Sequence, residues 1–267
     1  MKIVATIEAR LGSSRLPRKV IKPLLGEPML ARIIERARRS KRLDEIVVAT
    51  TVCEEDAAVA ELAKRCGVTS YRGSENDILD RLAGALKQTG ADIQVSLTGD
   101  NPFVDPTLID DMVDCLLETG VDYVASTHMQ HARNWGEKRT FPTGISVQVV
   151  RAPLVHAMAG EVTDPAIREL GLYAIYDDER GRFRRHAFSA AGKYKDWCHP
   201  ELRMTVDTPE DFQVVERIYG ALYPETSDFS TARAIQMLVD APELRKLNGS
   251  ILQRVGYETL DESRTPG

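Results

Sequence analysis

The chain has 267 residues, 43% of them apolar and 28% charged, with a formal net charge of −5 at pH 7. That length suits one large α/β domain, or one domain with a smaller insertion, and the composition excludes a disordered or fibrous chain. The negative balance argues against a nucleic-acid partner, and no apolar run approaches the length that spans a bilayer.

The four cysteines, Cys53, Cys66, Cys115 and Cys198, include no C-x-x-C pair, which predicts reduced thiols and a cytoplasmic location. Residues 2–7 form a short apolar run that Glu8 and Arg10 interrupt too soon for a secretion signal. The run predicts a strand followed by a polar loop. From Pro28, the apolar residues Met29, Leu30, Ile33, Ile34 and Ala37 fall at helical spacing. Residues 45–50 (EIVVAT) predict a buried strand, 57–66 a helix stopped by Gly67, and 68–72 a short strand. Ser74 and Asp77 fit a capping box ahead of a helix carrying Leu79, Leu82 and Leu86. Residues 92–97 predict another strand, and Asp105-Pro106 the start of a helix. This alternation predicts an α/β fold with a doubly wound, mostly parallel sheet.

Residues 126–200 are less regular. A loop is expected at 126–139, a strand at 143–150, and the segment as a whole is expected to be an inserted smaller lobe of a single domain spanning 1–257. Regularity returns at 202–206, a predicted strand, and at Thr208-Pro209-Glu210-Asp211, which caps a further helix. Residues 258–267 are expected to be a tail.

In parallel sheets, ligands bind beyond the carboxyl ends of the strands. The segments 8–19, 72–80 and 99–105 should therefore share one crevice. The first carries Gly12, the hydroxyls of Ser13 and Ser14, and the cations Arg10, Arg15, Arg18 and Lys19. Those are the groups a triphosphate needs, although the Walker spacing is absent and a solvated basic turn has the same composition. Asp100, in Thr98-Gly99-Asp100, and Asp207 each end a predicted strand. A carboxylate there either caps local backbone or meets a hard cation such as Mg²⁺. Because a crevice carboxylate packs against little, removing either is expected to leave the fold intact. His128, His131 and Cys198-His199 lack the spacing of a zinc site, and hydrolase signatures are absent.

The segment IEARLGSSRLPRKV at 7–20 resembles the A-R-x-G-S-x-R/K-x-P-x-K signature of the CMP-sugar-acid synthetases, and most of all their SpsF-type branch, named for spore-coat polysaccharide biosynthesis. The resemblance continues through IVVATT, YRGSENDILDR, SLTGDNPFVDP, RTFPTG and LRMTVDTPEDF and covers about four-fifths of the chain. It implies a nucleotide-diphospho-sugar transferase-like fold, CTP as donor and Mg²⁺ dependence. Carried over by position, Ala9, Arg10, Gly12, Ser13, Ser14, Arg15 and Lys19 contact the nucleotide, as do Arg72, Ser74, Asp77 and Gly99. Asp80 and Arg81 are further candidates. Asp100 and Asp207 hold the metal, and Arg10 and Lys19 join them in catalysis. The resemblance also implies a homodimer formed through the inserted lobe.

Two positions depart from the pattern. Glu8 stands where these families usually carry Pro or Gln; a carboxylate accepts from the exocyclic amine of cytosine and also from the N–H edge of guanine. Arg168-Glu169-Leu170-Gly171 replaces the R-E-H-V-T of the SpsF branch. The expected reaction is CMP transfer from CTP to an anionic acceptor with release of pyrophosphate. That acceptor is a 2-keto sugar acid, or a phosphate or phosphonate, and Arg133, Arg139, Arg168 and Lys193 are the cations available to it. The alternatives are a sugar-1-phosphate transferase using another nucleotide and a non-catalytic nucleotide-binding protein.

Overall fold

The computed structural model describes residues 1–127, 138–178 and 180–252. Its first half is the predicted alternation. Strands β1 (Ile3–Glu8), β4 (Glu45–Thr51), β5 (Thr69–Gly73) and β6 (Ile93–Thr98) lie side by side in the order β5-β4-β1-β6, all parallel. Between β1 and β4 run a short hairpin, β2 (Pro23–Leu24) with β3 (Glu27–Pro28), and helix α1 (Met29–Ala37). Helices α2 (Ala57–Arg65), α3 (Ile78–Thr89) and α4 (Pro106–Thr119) follow β4, β5 and β6.

Side-chain alternation divides the strands between two cores. On β1, Ile3, Ala5 and Ile7 join a core that includes residues of α1, α2 and α4, whereas Val4 joins a second core that includes residues of α3. The second face is partly polar. Thr6 and Gln94 are fully buried and bonded to each other at 2.7 Å, which offsets their desolvation.

The sheet continues past β6 with β8 (Gln148–Arg151), β7 (Tyr123–Ala125) and β9 (Arg185–Ala187). Strand β8 is antiparallel to both β6 and β7, and β9 pairs parallel with β7. The seven-stranded sheet is thus mixed but mostly parallel, as the fold class requires. The irregular middle of the chain supplies β8 and β9 to this sheet. It also supplies α5 (Ala152–Glu161), α6 (Pro165–Glu169) and α7 (Tyr173–Tyr176), with α5 and α7 contributing to the second core. Helices α8 (Pro209–Leu222), α9 (Thr231–Asp240) and α10 (Pro242–Lys246) complete the first core.

Several local expectations change. The strand expected at 143–150 is regular only from Gln148. The strand expected at 202–206 is a single bridge between Arg203 and Thr143. Its backbone changes partner: Met204 N donates to Thr143 O at 2.7 Å, and Val206 N to Asp100 O at 2.8 Å. Gly144 permits this crossing. At φ +98°, a Cβ there would stand 2.4 Å from Thr205 N, so only glycine fits. Ser74 is not the N-cap of α3. Asp77 is, accepting from Asp80 N at 2.9 Å, while Ser74 Oγ accepts from Asp77 N at 3.2 Å. The Asp77 carboxylate reaches instead to Arg168 Nε at 2.6 Å. The box on α8 forms as expected, with Thr208 and Asp211 reciprocally bonded. No described helix is long and apolar enough to cross a membrane.

Candidate active site

A crevice of about 390 Å³ opens at the carboxyl ends of β1 and β6. One wall is the loop after β1, contributing Ala9, Arg10, Gly12, Ser13, Ser14, Arg15 and Lys19; the other is Thr98, Gly99 and Asp100, with Asp207 beside them. Two of the three polar segments therefore meet as expected. From the third, only Ile78 lines the crevice, joined by Arg81 on the next turn of α3.

The loop is held from below. Leu11 is buried, its N–H donates to Asp56 Oδ1 at 2.7 Å, and its carbonyl accepts from Ser13 N at 2.8 Å and Arg18 N at 3.0 Å. Arg18 adopts φ 60° to turn the chain. Asp56 is itself buried and accepts a hydrogen bond from the Thr51 hydroxyl. Sequence reasoning did not single out Asp56. The acidic stretch 54–56 ahead of α2 is the only signal it leaves, and such stretches ordinarily serve a helix N-terminus. Gly99 carries the steric requirement of the crevice. A Cβ there would lie 2.8 Å from Glu8 O, whereas one on Gly12 would meet nothing closer than 3.7 Å.

The charged centre is Lys19. Its ammonium donates to Asp100 Oδ2 at 3.0 Å, Asp207 Oδ1 at 2.9 Å and Val206 O at 2.7 Å. Burial opposes its charge, but the two carboxylates outweigh burial and raise its pKa above the ordinary lysine value. Asp207 is the most heavily paired group. Arg15 lies 3.0 Å and Arg203 2.8 Å from its Oδ2. Burial pushes its carboxyl up, yet Lys19, Arg15 and Arg203 together hold it below the usual carboxylate range. Arg203 in turn bonds Asp211 at 2.8 and 2.9 Å, so the cap of α8 also orients the crevice. Asp100 is less buried, and among the described residues its carboxylate accepts from Lys19 and, at 2.7 Å, from the Thr98 hydroxyl.

Other predicted residues lie elsewhere. Arg72 points away, donating to Thr51 O at 2.9 Å and Cys53 O at 2.7 Å. Ser74 and Asp77 are occupied at the start of α3. Arg10, by contrast, stands in the crevice wall and faces Glu75 at 3.5 Å. Among the cations considered for an acceptor, Arg168 is tied to Asp77, Ala159 O and Val162 O. Lys193 pairs with Asp111 at 2.6 Å, and Arg139 donates to Pro200 O at 2.5 Å. Arg133, His128 and His131 lie outside the described residues, and His199 pairs with Glu201 at 3.0 Å. Among the described residues no cluster of three or more His, Cys, Asp or Glu could hold a metal, so Asp100 and Asp207 stand as a pair.

A known family model, cytidylyltransferase, matches residues 4–142, which include the loop after β1 and Asp100. The chain belongs to the cytidylyltransferase family. It is a nucleotidyltransferase. It is 31% identical to the spore coat polysaccharide biosynthesis protein SpsF of Bacillus subtilis over 247 residues, 90% of this chain and 95% of that protein. Among solved structures, a cytidylyltransferase from Leptospira borgpetersenii superposes with a TM-score of 0.82 at 28% identity, covering 95% of this chain and 100% of the other. A CMP:2-keto-3-deoxy-manno-octonic acid synthetase complexed with CTP shares the fold, with a TM-score of 0.59 at 21% identity over 82% and 99% of the two chains.

Proposed function

We propose that this cytidylyltransferase moves CMP from CTP to an anionic acceptor, a sugar acid or related compound, and releases pyrophosphate. An acceptor oxygen would attack the α-phosphorus; the new P–O bond forms as the bond to the β-phosphate oxygen breaks, and the hydroxyl proton is lost to solvent. The observation that carries this reading is the convergence of Lys19, Asp100 and Asp207 beside the Ser13–Ser14 loop. Arg10, Arg15 and Lys19 would hold phosphate oxygens, and the loop would fix the α-phosphorus against its attacker. Positioning and charge neutralisation supply most of the rate in such transfers. The sugar-acid acceptor is carried over from the CMP:2-keto-3-deoxy-manno-octonic acid synthetase that shares this fold.

Asp100 Oδ2 and Asp207 Oδ1 already converge on one cation, the Lys19 ammonium. Two hard oxygens at one point suit Mg²⁺, which takes a few carboxylates and fills its shell with phosphate and water. Asp100 and Asp207 would hold the ion once Lys19 turns to a phosphate. When bound, Mg²⁺ supplies neutralisation of the charge developing on the leaving group. We further propose that the chain is a homodimer joined through 126–200. The test of the main reading is pyrophosphate release across a matrix of four nucleoside triphosphates and a panel of sugar acids, phosphates and phosphonates, with Mg²⁺ present. CTP with a sugar acid should give the fastest release; release with GTP alone would overturn the donor.

A further inference from the structure

A carboxylate is misplaced beside a triphosphate, yet Glu8 lines this crevice. It is the last residue of β1 and falls on the same alternate set as Val4 and Thr6, toward the second core. Ser96 Oγ donates to Glu8 Oε1 at 3.1 Å. Arg81 lines the same crevice from α3. It is 2% exposed, and it donates to Ser74 O at 2.6 Å and Glu75 O at 3.3 Å, while its Nε finds no acceptor. Burial drives the Glu8 carboxyl above its ordinary value, opposed by the Arg81 charge and the Ser96 bond and reinforced by Asp100. Among the described residues no direct ion pair closes Glu8 onto Arg81. One acceptor and one cation thus border the same space, each incompletely satisfied. Ile78, three residues before Arg81 on α3, adds an apolar surface to it. An apolar surface with a few convergent polar groups is how a flat heterocycle is held. Phosphates would be repelled by Glu8 and drawn to Arg10, Arg15 and Lys19, which leaves the nucleobase to occupy this end.

We propose that Glu8 is a specificity-determining residue that reads the cytosine ring, its carboxylate accepting from the 4-amino group while Arg81 favours the carbonyl-bearing edge. This rests on the cytidylyl-transfer reading above. Uracil would turn its 4-oxygen toward Glu8, acceptor against acceptor, and be rejected. A contact of this kind discriminates between bases by about 10- to 100-fold.

The test is calorimetric titration, with Mg²⁺, of the wild-type chain and Glu8→Gln with CTP, UTP and the triphosphate of the 2-pyrimidinone nucleoside, which lacks only the 4-amino group. The wild type should bind CTP about 10- to 100-fold more tightly than either other ligand. Glu8→Gln, whose amide can turn an N–H toward a 4-oxygen, should bring CTP and UTP within a few-fold of each other. Equal binding of CTP and the pyrimidinone nucleotide by the wild type overturns the proposal, and that comparison stands even if the variant fails to fold. A Glu8→Gln chain that keeps its full preference for CTP but loses turnover also overturns it, and assigns Glu8 to the acceptor. Absence of any CTP binding by the wild type overturns the cytidylyl-transfer reading itself.

Discussion

The two aspartates of the crevice should respond differently to removal, although their chemistry is shared. Asp207 is 6% exposed and faces three cations: Lys19, Arg15 and Arg203. Breaking a buried ion pair by deleting one partner costs about 3–5 kcal/mol, because the other charge is left uncompensated. Here that figure is an upper bound. Lys19 keeps Asp100, Arg203 keeps Asp211, and Arg15 is a quarter exposed to water. Asp207→Ala should therefore cost about 2–3 kcal/mol, a loss of roughly 5–10 °C in melting temperature for a domain near this size. This revises the expectation from sequence that either aspartate could go without harm to the fold. Asp100 has 27% of its side chain exposed, and its Lys19 partner retains Asp207 and Val206 O. Asp100→Ala should cost under about 1 kcal/mol. Both variants should lose on the order of 10²-fold or more in turnover, if both carboxylates act where charge develops. Paired melting curves and pyrophosphate-release assays across a Mg²⁺ titration measure both quantities. Near-normal turnover in either variant, or equal melting shifts in the two, would refute the reasoning.

Further expectations concern ligand, assembly, acid and backbone. CTP with Mg²⁺ should raise the melting temperature more than GTP, UTP or ATP, since a ligand at 100 times its dissociation constant adds about 2.7 kcal/mol; an equal shift with GTP would contradict the donor. Light scattering should give a mass near twice 29.7 kDa, and a monomer mass would remove 126–200 as an interface. The Asp207 carboxyl is held below its ordinary value, so its stabilisation is full above the usual carboxylate range and is lost as pH falls through the depressed folded value. Chemical denaturation from pH 6 to pH 2 should show that loss, and Asp207→Asn should flatten it. Gly99→Ala must push Glu8 O back from 2.8 Å and should cost about 1–3 kcal/mol, read from the denaturant midpoint.

Much of this molecule follows from local signals. The parallel strands of the first half are apolar runs closed by polar loops, and the helices α4 and α8 announce themselves by Asp105-Pro106 and Thr208-Pro209 at their starts. The basic loop after β1 and the carboxylate at Asp100 were legible for the same reason, because each sits where a strand ends, whereas Asp207 reaches the crevice although the strand expected before it is a single bridge. What stayed hidden depends on partners distant in sequence. Strands β7 and β9 are three residues each, too short for a period, and exist because neighbouring backbone pairs with them. The family resemblance carries Arg72 over as a nucleotide contact, but the carbonyls of Thr51 and Cys53 claim its guanidinium. Asp56 looks like a helix-start acid, but Leu11 N–H makes it the anchor of the loop. The sequence by itself determined which residue types stand at the strand ends. Only the tertiary structure decided that Lys19 joins Asp100 to Asp207 and that Arg203 shares itself between Asp207 and Asp211, since charges separated by up to 188 positions meet only when the chain between them has packed.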